Sequence, residues 1–311
     1  LQIMVDREGR LEPAESSPLS PERAHELVVQ LGVLGGADPS LASPAMDVRL
    51  ADGSRAVGAL PPLTFRGPQL TIRKPSREMF TLDRLVEYAA LSDAMKRFLE
   101  ACLAARSTLA LVTGPGVTPG ATLNALLERL PPGERVATVE LGAELETSRK
   151  ENTIAIEPDG LLDVSALLQA FQAERVVVAD LLAAAPDGLV DLLEDTLHGS
   201  IVALRGTSVE RALERVQEAA GASAEAMASA LPIVLFEERF LDNSRRITRI
   251  CEVVASEDGL TCEDIFTFSA EGVDDDRIVT GTFSATGRIP ARIQALGDRG
   301  ELHLDADVFR R

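Results

Sequence analysis

Lysine is nearly absent from this 311-residue chain, occurring only as Lys74, Lys96 and Lys150. Positive charge is scarce overall: 31 lysines and arginines face 49 acids, for a formal charge of −18. Nucleic-acid binding driven by phosphate neutralisation needs clustered bases, as does charge-driven docking on anionic lipid, so this balance argues against both. No apolar run approaches the roughly 18 residues that cross a bilayer, so no direct membrane insertion is expected. Cysteine is limited to Cys102, Cys251 and Cys262, odd in number, widely spaced and each in an apolar context. That pattern predicts buried thiols in a reducing compartment, not disulfides or metal ligands. His25, His198 and His303 are isolated and form no metal spacing, so no metal site is expected. The opening LQIMVDREGR is not a signal peptide and lacks an initiator methionine, which leads us to expect a fragment of a longer protein.

What is present is enough for one large or two ordinary domains, with 45% hydrophobic and 26% charged residues. A strand LQIMVD, a turn at Glu8-Gly9 and a helix SPERAHELVVQLGVL open the chain, with Ser20 as N-cap and Pro21 in the first turn. MDVRLADGSRAVGAL reads as a hairpin turning at Asp52-Gly53, and QLTIRKP as a further strand. The polar, proline-containing KPSREMF is the linker candidate. Apolar strands STLALVT, RVATVEL, NTIAIE, RVVVAD, SIVALR and LPIVLF then alternate with helical stretches, the pattern of a largely parallel sheet buried on both faces. RRITRICEVVA and EDIFTFS read as antiparallel strands after a turn at Asn243, and AGASAEAMASAL as helix.

LVTGPGVTPGATLNALL, residues 111–127, runs from a strand through a glycine-rich turn into a helix, as a phosphate-binding loop does. Yet no residue from Ser107 to Leu127 is charged. Pro115 and Pro119 also remove two backbone N–H donors from any phosphate cradle. Thr118 followed by Pro119 has the form of an N-cap and first helical residue, which predicts a self-capped structural loop over a phosphate site.

The whole pattern resembles the type II/IV secretion ATPases, and within them the Tad/Flp pilus assembly ATPases of CpaF type. The segments that carry the resemblance are MDVRLADGSRAVGALPPLTFRGPQLTIRK, TLDRLVEYAALSDAMKRFLEACLAAR, NSRRITRICEVVASEDGLTCEDIFTF and GTFSATGRIPA. It implies an α/β chain: a small N-terminal α+β domain over 1–75, a linker over 76–82, and a RecA-like P-loop NTPase core over 83–311 with a mainly parallel sheet and antiparallel C-terminal strands. It further implies six protomers in a cytoplasmic ring that binds ATP and powers pilus assembly or secretion.

Set against the family's motifs, the chain departs at each charged position. Depending on register, Pro119 and Gly120 occupy the lysine and hydroxyl positions of the phosphate loop, or Gly120-Ala121-Thr122 stands for Gly-Lys-Thr; neither register has the cation. Gly114, Gly116 and Thr118 complete the loop. In VELGAEL, Glu140 and Glu144 remain while Leu141 replaces an aspartate. Asp180 replaces the strand-terminal glutamate and is one methylene shorter; it either faces a lytic water or caps the next turn. Arg205 stands at the histidine position, as a substitute phosphate ligand or as an ion-pair partner of Asp180 or Glu140. The arginines expected before the RVVVAD strand are missing until Arg175. Arg49, Arg55 and Arg73 are retained in the N-terminal part, for nucleotide or protomer contacts.

These departures lead to the expectation of a non-enzymatic pseudo-ATPase without a cofactor, binding ATP or ADP weakly if at all. It would be a ring or scaffold subunit of a Tad-like pilus or type II/IV secretion motor, homo-oligomeric or partnered with an active secretion ATPase. Inner-membrane platform proteins would be its partners, with the chain cytoplasmic or peripheral at the inner membrane. A nucleotide sensor without hydrolysis, or a slow ATPase using Arg205 as cation, are the alternatives.

Overall fold

The computed structural model describes residues 1–310 apart from 8–9, 17, 41–42, 75–79, 142–144, 148–149, 159–162, 185–187, 258 and 276. The chain divides into two compact units, Leu1–Glu78 and, from Met79 onward, Met79–Leu141 with Leu145–Arg311.

In the first unit β1 (Met4–Arg7) and β2 (Arg10–Pro13) form an antiparallel ladder. The turn expected at Glu8-Gly9 lies outside the described residues. Helix α1 (Pro21–Leu34) starts where Ser20 accepts the Arg23 N–H at 3.2 Å, with proline at its first position. Strands β3 (Ala45–Arg49), β4 (Arg55–Ala59) and β5 (Gln69–Arg73) make an antiparallel meander. Gly53 takes a φ of +81° at the first turn, the left-handed conformation that favours glycine. Alternate residues Met46, Val48 and Ala56 face inward and bury with Val28 and Leu60, while Asp47, Arg49 and Arg55 lie on the other face.

The second unit opens with α2 (Leu82–Glu87), capped by Thr81, and α3 (Asp93–Ala104), capped by Ser92. Then follow β6 (Leu109–Thr113), α4 (Gly120–Arg129), β7 (Val136–Val139), β8 (Thr153–Ile156), α5 (Val164–Ala170), β9 (Arg175–Val178), α6 (Leu189–Asp195), β10 (Ile201–Arg205), α7 (Val209–Ala220), α8 (Ala224–Ala230) and β11 (Ile233–Arg239). The chain closes with β12 (Arg245–Ser256), β13 (Gly259–Val273), β14 (Val279–Ala285), α9 (Ala291–Asp298) and a 3-10 turn at Ala306–Phe309. The sequence reading left β2, β14, α9 and this last turn unassigned.

Nine strands form one sheet in the order β14-β13-β12-β11-β6-β10-β9-β7-β8. From β11 to β8 the neighbours are parallel, and from β11 to β14 they are antiparallel. The expected mainly parallel sheet with antiparallel C-terminal strands is therefore observed. Every residue of β6 is buried because both faces of the sheet are covered. Leu109 and Leu111 face a core built with Phe98 and Leu99 of α3 and Leu123 and Leu126 of α4. Ala110 and Val112 face the opposite core, built with α5 to α8.

Arg175 is almost fully buried, donates to the carbonyls of Leu103 and Gly199 at 3.1 and 2.9 Å, and pairs with Glu134 at 2.5 Å. Cys251 of β12 donates its thiol to the Val234 carbonyl at 3.8 Å, and the neighbouring Cys262 of β13 together with burial pushes the Cys251 thiol well above its ordinary range. Among the described residues no three metal-ligating side chains gather, and no helix is long and apolar enough to cross a membrane.

Candidate functional site at the carboxyl edge of the sheet

Six parallel strands end at the same edge, where Thr113 of β6 lies between Arg205 of β10 and Glu237 of β11. Ligands of open α/β sheets bind beyond the carboxyl ends of strands, where successive connections leave to opposite sides. Strand β6 occupies that point: β7 to β10 lie on one side of it and β11 on the other.

The glycine loop leaves β6 here. Gly114 donates its N–H to the Glu237 carbonyl at 2.9 Å, and Val117 donates to the Gly114 carbonyl at 3.1 Å. Gly116 turns the chain at a φ of +77°.

The expected cap of α4 is corrected. Helix α4 begins at Gly120, so its N-cap position falls on Pro119, whose side chain has no oxygen and makes no capping bond. Thr118 is one residue too early to cap; its hydroxyl instead accepts from Arg245 Nη1 at 3.4 Å. The first-turn amides of α4 thus have no side-chain cap.

Below the loop, Thr122 Oγ1 donates to Glu237 Oε2 at 2.8 Å. Both residues are buried. Desolvation pushes the Glu237 carboxyl up to about 7, against the opposing effects of the Thr122 hydrogen bond and Arg245.

Beside the loop opens a cleft of about 470 Å³ lined by Pro115, Gly116, Glu238, Arg239, Phe240, Leu241 and Asn243. Arg239 is anchored by two hydrogen bonds to Asn243 Oδ1, from Nε at 3.1 Å and from Nη2 at 2.5 Å. Its Nη1 stands against the loop, where a Cβ on Gly116 would lie 3.7 Å away.

The remaining sequence-predicted positions separate. Glu140, at the end of β7, is buried and accepts the Leu145 N–H at 3.0 Å. Asp180, just past β9, accepts the Ala183 N–H at 3.3 Å and pairs with Arg205 Nε at 3.1 Å. Of the alternatives open for Arg205, the ion pair with Asp180 is the one formed. Ala121 is half-buried in the first turn of α4. Glu144 lies outside the described residues. In the first unit, Arg49, Arg55 and Arg73 stand directly opposite one another across β3, β4 and β5, and Arg55 pairs with Asp47.

Glu237, Arg239 and Arg245 were missed by sequence reasoning. The available signal was EER directly after the apolar LPIVLF, a strand ending in charge as RVVVAD does. Placing it at the loop needed the pairing of β11 with β6, which no local pattern carries.

No protein-family model matches the chain. It is 23% identical over 240 residues to the conjugal transfer protein TrbB of Rhizobium radiobacter, covering 70% of this chain and 71% of that protein. The X-ray structure of the ATPase DotB of Yersinia pseudotuberculosis superposes with a TM-score of 0.53 at 9% identity, over 83% of this chain and 70% of that one. The VirB11 ATPase of the Brucella suis type IV secretion system, solved with sulphate, aligns at a TM-score of 0.45 and 18% identity, over 81% of this chain and 86% of that one. The likeness to DotB agrees with the fold class expected from the sequence. The expectation of a non-enzymatic chain is corrected: the relatives point to an ATPase, and nothing in the geometry shows an inactive one. That expectation weighed charges lost from the loop, the acidic strand ends, the histidine position and the arginines before β9, and did not include two arginines of the β11–β12 hairpin that the fold sets against the loop.

Proposed function

We infer that this chain is a type II/IV secretion ATPase, the superfamily that its likeness to TrbB and DotB supports, and that it hydrolyses ATP. The observation that carries this reading is the position of the glycine loop, between the carboxyl end of the central strand β6 and an α4 N-terminus without a side-chain cap. Amides at such a helix start, with the positive end of the helix dipole, suit a phosphate group.

In the reaction, water attacks the γ-phosphorus, the bond from that phosphorus to the β,γ-bridging oxygen breaks, and ADP and inorganic phosphate leave. Catalysis of this step is mostly positioning and stabilisation of charge. The loop from Gly114 to Thr122 would hold the phosphates, with Glu237 fixing Thr122 through its hydroxyl. Glu140 and Asp180 supply acids at the same edge, and Arg205 holds Asp180 in place. ATP is thus assigned as substrate, with its magnesium entering as part of it.

The finer assignment is to a Tad-like pilus or related secretion motor. The chain would act as a cytoplasmic oligomer on inner-membrane platform proteins, with the row Arg49, Arg55 and Arg73 serving contacts between protomers. The experiment is phosphate release by the purified chain, wild type against Asp180→Asn, with light scattering to read the oligomer. Release that saturates with ATP and falls in the variant is expected. Release at the no-enzyme rate across millimolar ATP would refute the reading.

A further inference from the structure

The loop that would hold phosphates carries no charge of its own from Ser107 to Leu127, and the charge nearest to it comes from another part of the chain. Strand β11 runs parallel to β6 past Thr113, so its last residues travel alongside the loop. It ends in Arg239, which lies directly opposite Arg245, the first residue of β12. Like charges directly opposite on an antiparallel pair repel. Here both guanidiniums turn toward the same loop, Arg239 Nη1 against Gly116 and Arg245 Nη1 onto the Thr118 hydroxyl at 3.4 Å.

Among the described residues the side-chain partners of the two are neutral, Asn243 for Arg239 and Thr118 for Arg245, in a chain where acids outnumber bases 49 to 31. Glu238, the acid in the cleft wall, is engaged by the Thr248 hydroxyl at 2.6 Å. Asn243 takes two donors of Arg239 on one oxygen and so holds the guanidinium plane in place, leaving Nη1 at the cleft. Arg239 in the cleft wall and Arg245 on the Thr118 hydroxyl bring two cations to an uncharged glycine loop, while the nearby acids are engaged elsewhere, Glu237 by Thr122 and Glu238 by Thr248; together the two arginines form a receptor for a multiply charged anion.

We propose that Arg239 and Arg245 bind the terminal phosphates of the nucleotide, supplying from the β11–β12 hairpin the positive charge that phosphate loops ordinarily carry within themselves. This rests on the ATPase reading above. It adds that the cation is arginine, is double, and approaches from a neighbouring strand.

The test is titration of the full chain with ATP and ADP by calorimetry, for wild type, Arg239→Ala, Arg245→Ala, Arg239→Lys and, as control, Arg211→Ala on the exposed face of α7. Each alanine variant is expected to weaken ATP binding on the order of tenfold or more, and ADP binding less. Arg239→Lys should recover part of the loss, and Arg211→Ala should match wild type. Circular dichroism melts identify any variant that fails to fold, in which case Arg239→Gln and Arg245→Gln replace it. Folded variants that bind ATP as wild type does would overturn the proposal while leaving the ATPase reading intact. An equal loss for ATP and ADP would overturn the assignment to the terminal phosphates. Wild-type protein that neither binds nor hydrolyses ATP would remove both.

Discussion

Thr122 and Glu237 meet across 2.8 Å, and their hydrogen bond ties the first turn of α4 to the end of β11. The Glu237 carboxyl has almost no water around it, so the Thr122 hydroxyl is a principal source of its solvation. The contact also fixes the glycine loop from below, since the Glu237 carbonyl receives the Gly114 N–H on the same strand.

Thr122→Val removes that donor at almost constant volume. A buried acceptor left without its partner costs about 1–3 kcal/mol. Urea unfolding at neutral pH is expected to show a loss in this range with an unchanged m-value. A loss below about 0.5 kcal/mol, the scatter of ordinary surface substitutions, would mean that the bond contributes nothing.

Glu237 also sets a pH dependence. Its folded value of about 7 lies above the ordinary 4.5, so its protonated form is favoured by folding. The contribution is fully present below pH 4.5 and is lost as pH rises through about 7. Glu237→Gln keeps the shape without the ionisation. Relative to wild type it should gain stability between pH 5 and pH 8, by roughly 3 kcal/mol at the upper end. Parallel wild-type and variant stability curves over that interval would exclude the titration.

Arg205 and Asp180 pair on the exposed edge, with the arginine side chain 65% accessible. Pairs of this kind stabilise by about 0–1 kcal/mol. Arg205→Ala should therefore leave the unfolding midpoint nearly unchanged. A loss above about 2 kcal/mol would require contacts beyond this pair.

Arg175 presents the opposite case. It is 1% exposed, and its removal takes from Glu134 its nearer cation and from the carbonyls of Leu103 and Gly199 a buried donor each. Arg175→Leu is expected to cost about 3–5 kcal/mol, read by thermal unfolding. Gly199→Ala should also destabilise, because at a φ of +77° the new Cβ would collide with the Arg175 guanidinium and the Arg106 backbone. A Gly199→Ala protein with the wild-type melting temperature would show that the guanidinium shifts freely.

Much of the fold was readable because its signals are local. Ser20, Thr81, Ser92 and Ser208 each accept an amide three residues on, and the Asp52-Gly53 turn is marked by its own residues. The alternation of apolar strands and helices announced a parallel sheet buried on both faces. The glycine loop was found for the same reason. Its cap was misread because Thr-Pro suits a helix start one residue earlier than the one adopted. The wall of the site had a local signal in EER after LPIVLF, but its place beside the loop was not readable. Thr122 and Glu237 are 115 positions apart, and only the placement of β11 beside β6 joins them. Asp180 and Arg205 were found because each ends a strand whose pattern is visible; Arg239 ends one too, but its neighbour is not encoded nearby.

The pairing of β6 with β11 has a consequence for how the molecule is made. A chain leaving the ribosome presents β6 early, yet the strand that covers one of its edges is synthesised more than a hundred residues later. In that interval a strand buried along its whole length in the finished fold has an unpaired backbone edge, a state prone to pairing with another chain. Such long-range closure slows folding, and the site cannot be assembled before β11 is made. No amino-terminal portion ending before β11 can possess both walls of the cleft, so nucleotide cannot act as a template for folding until the β11–β12 turn has been made.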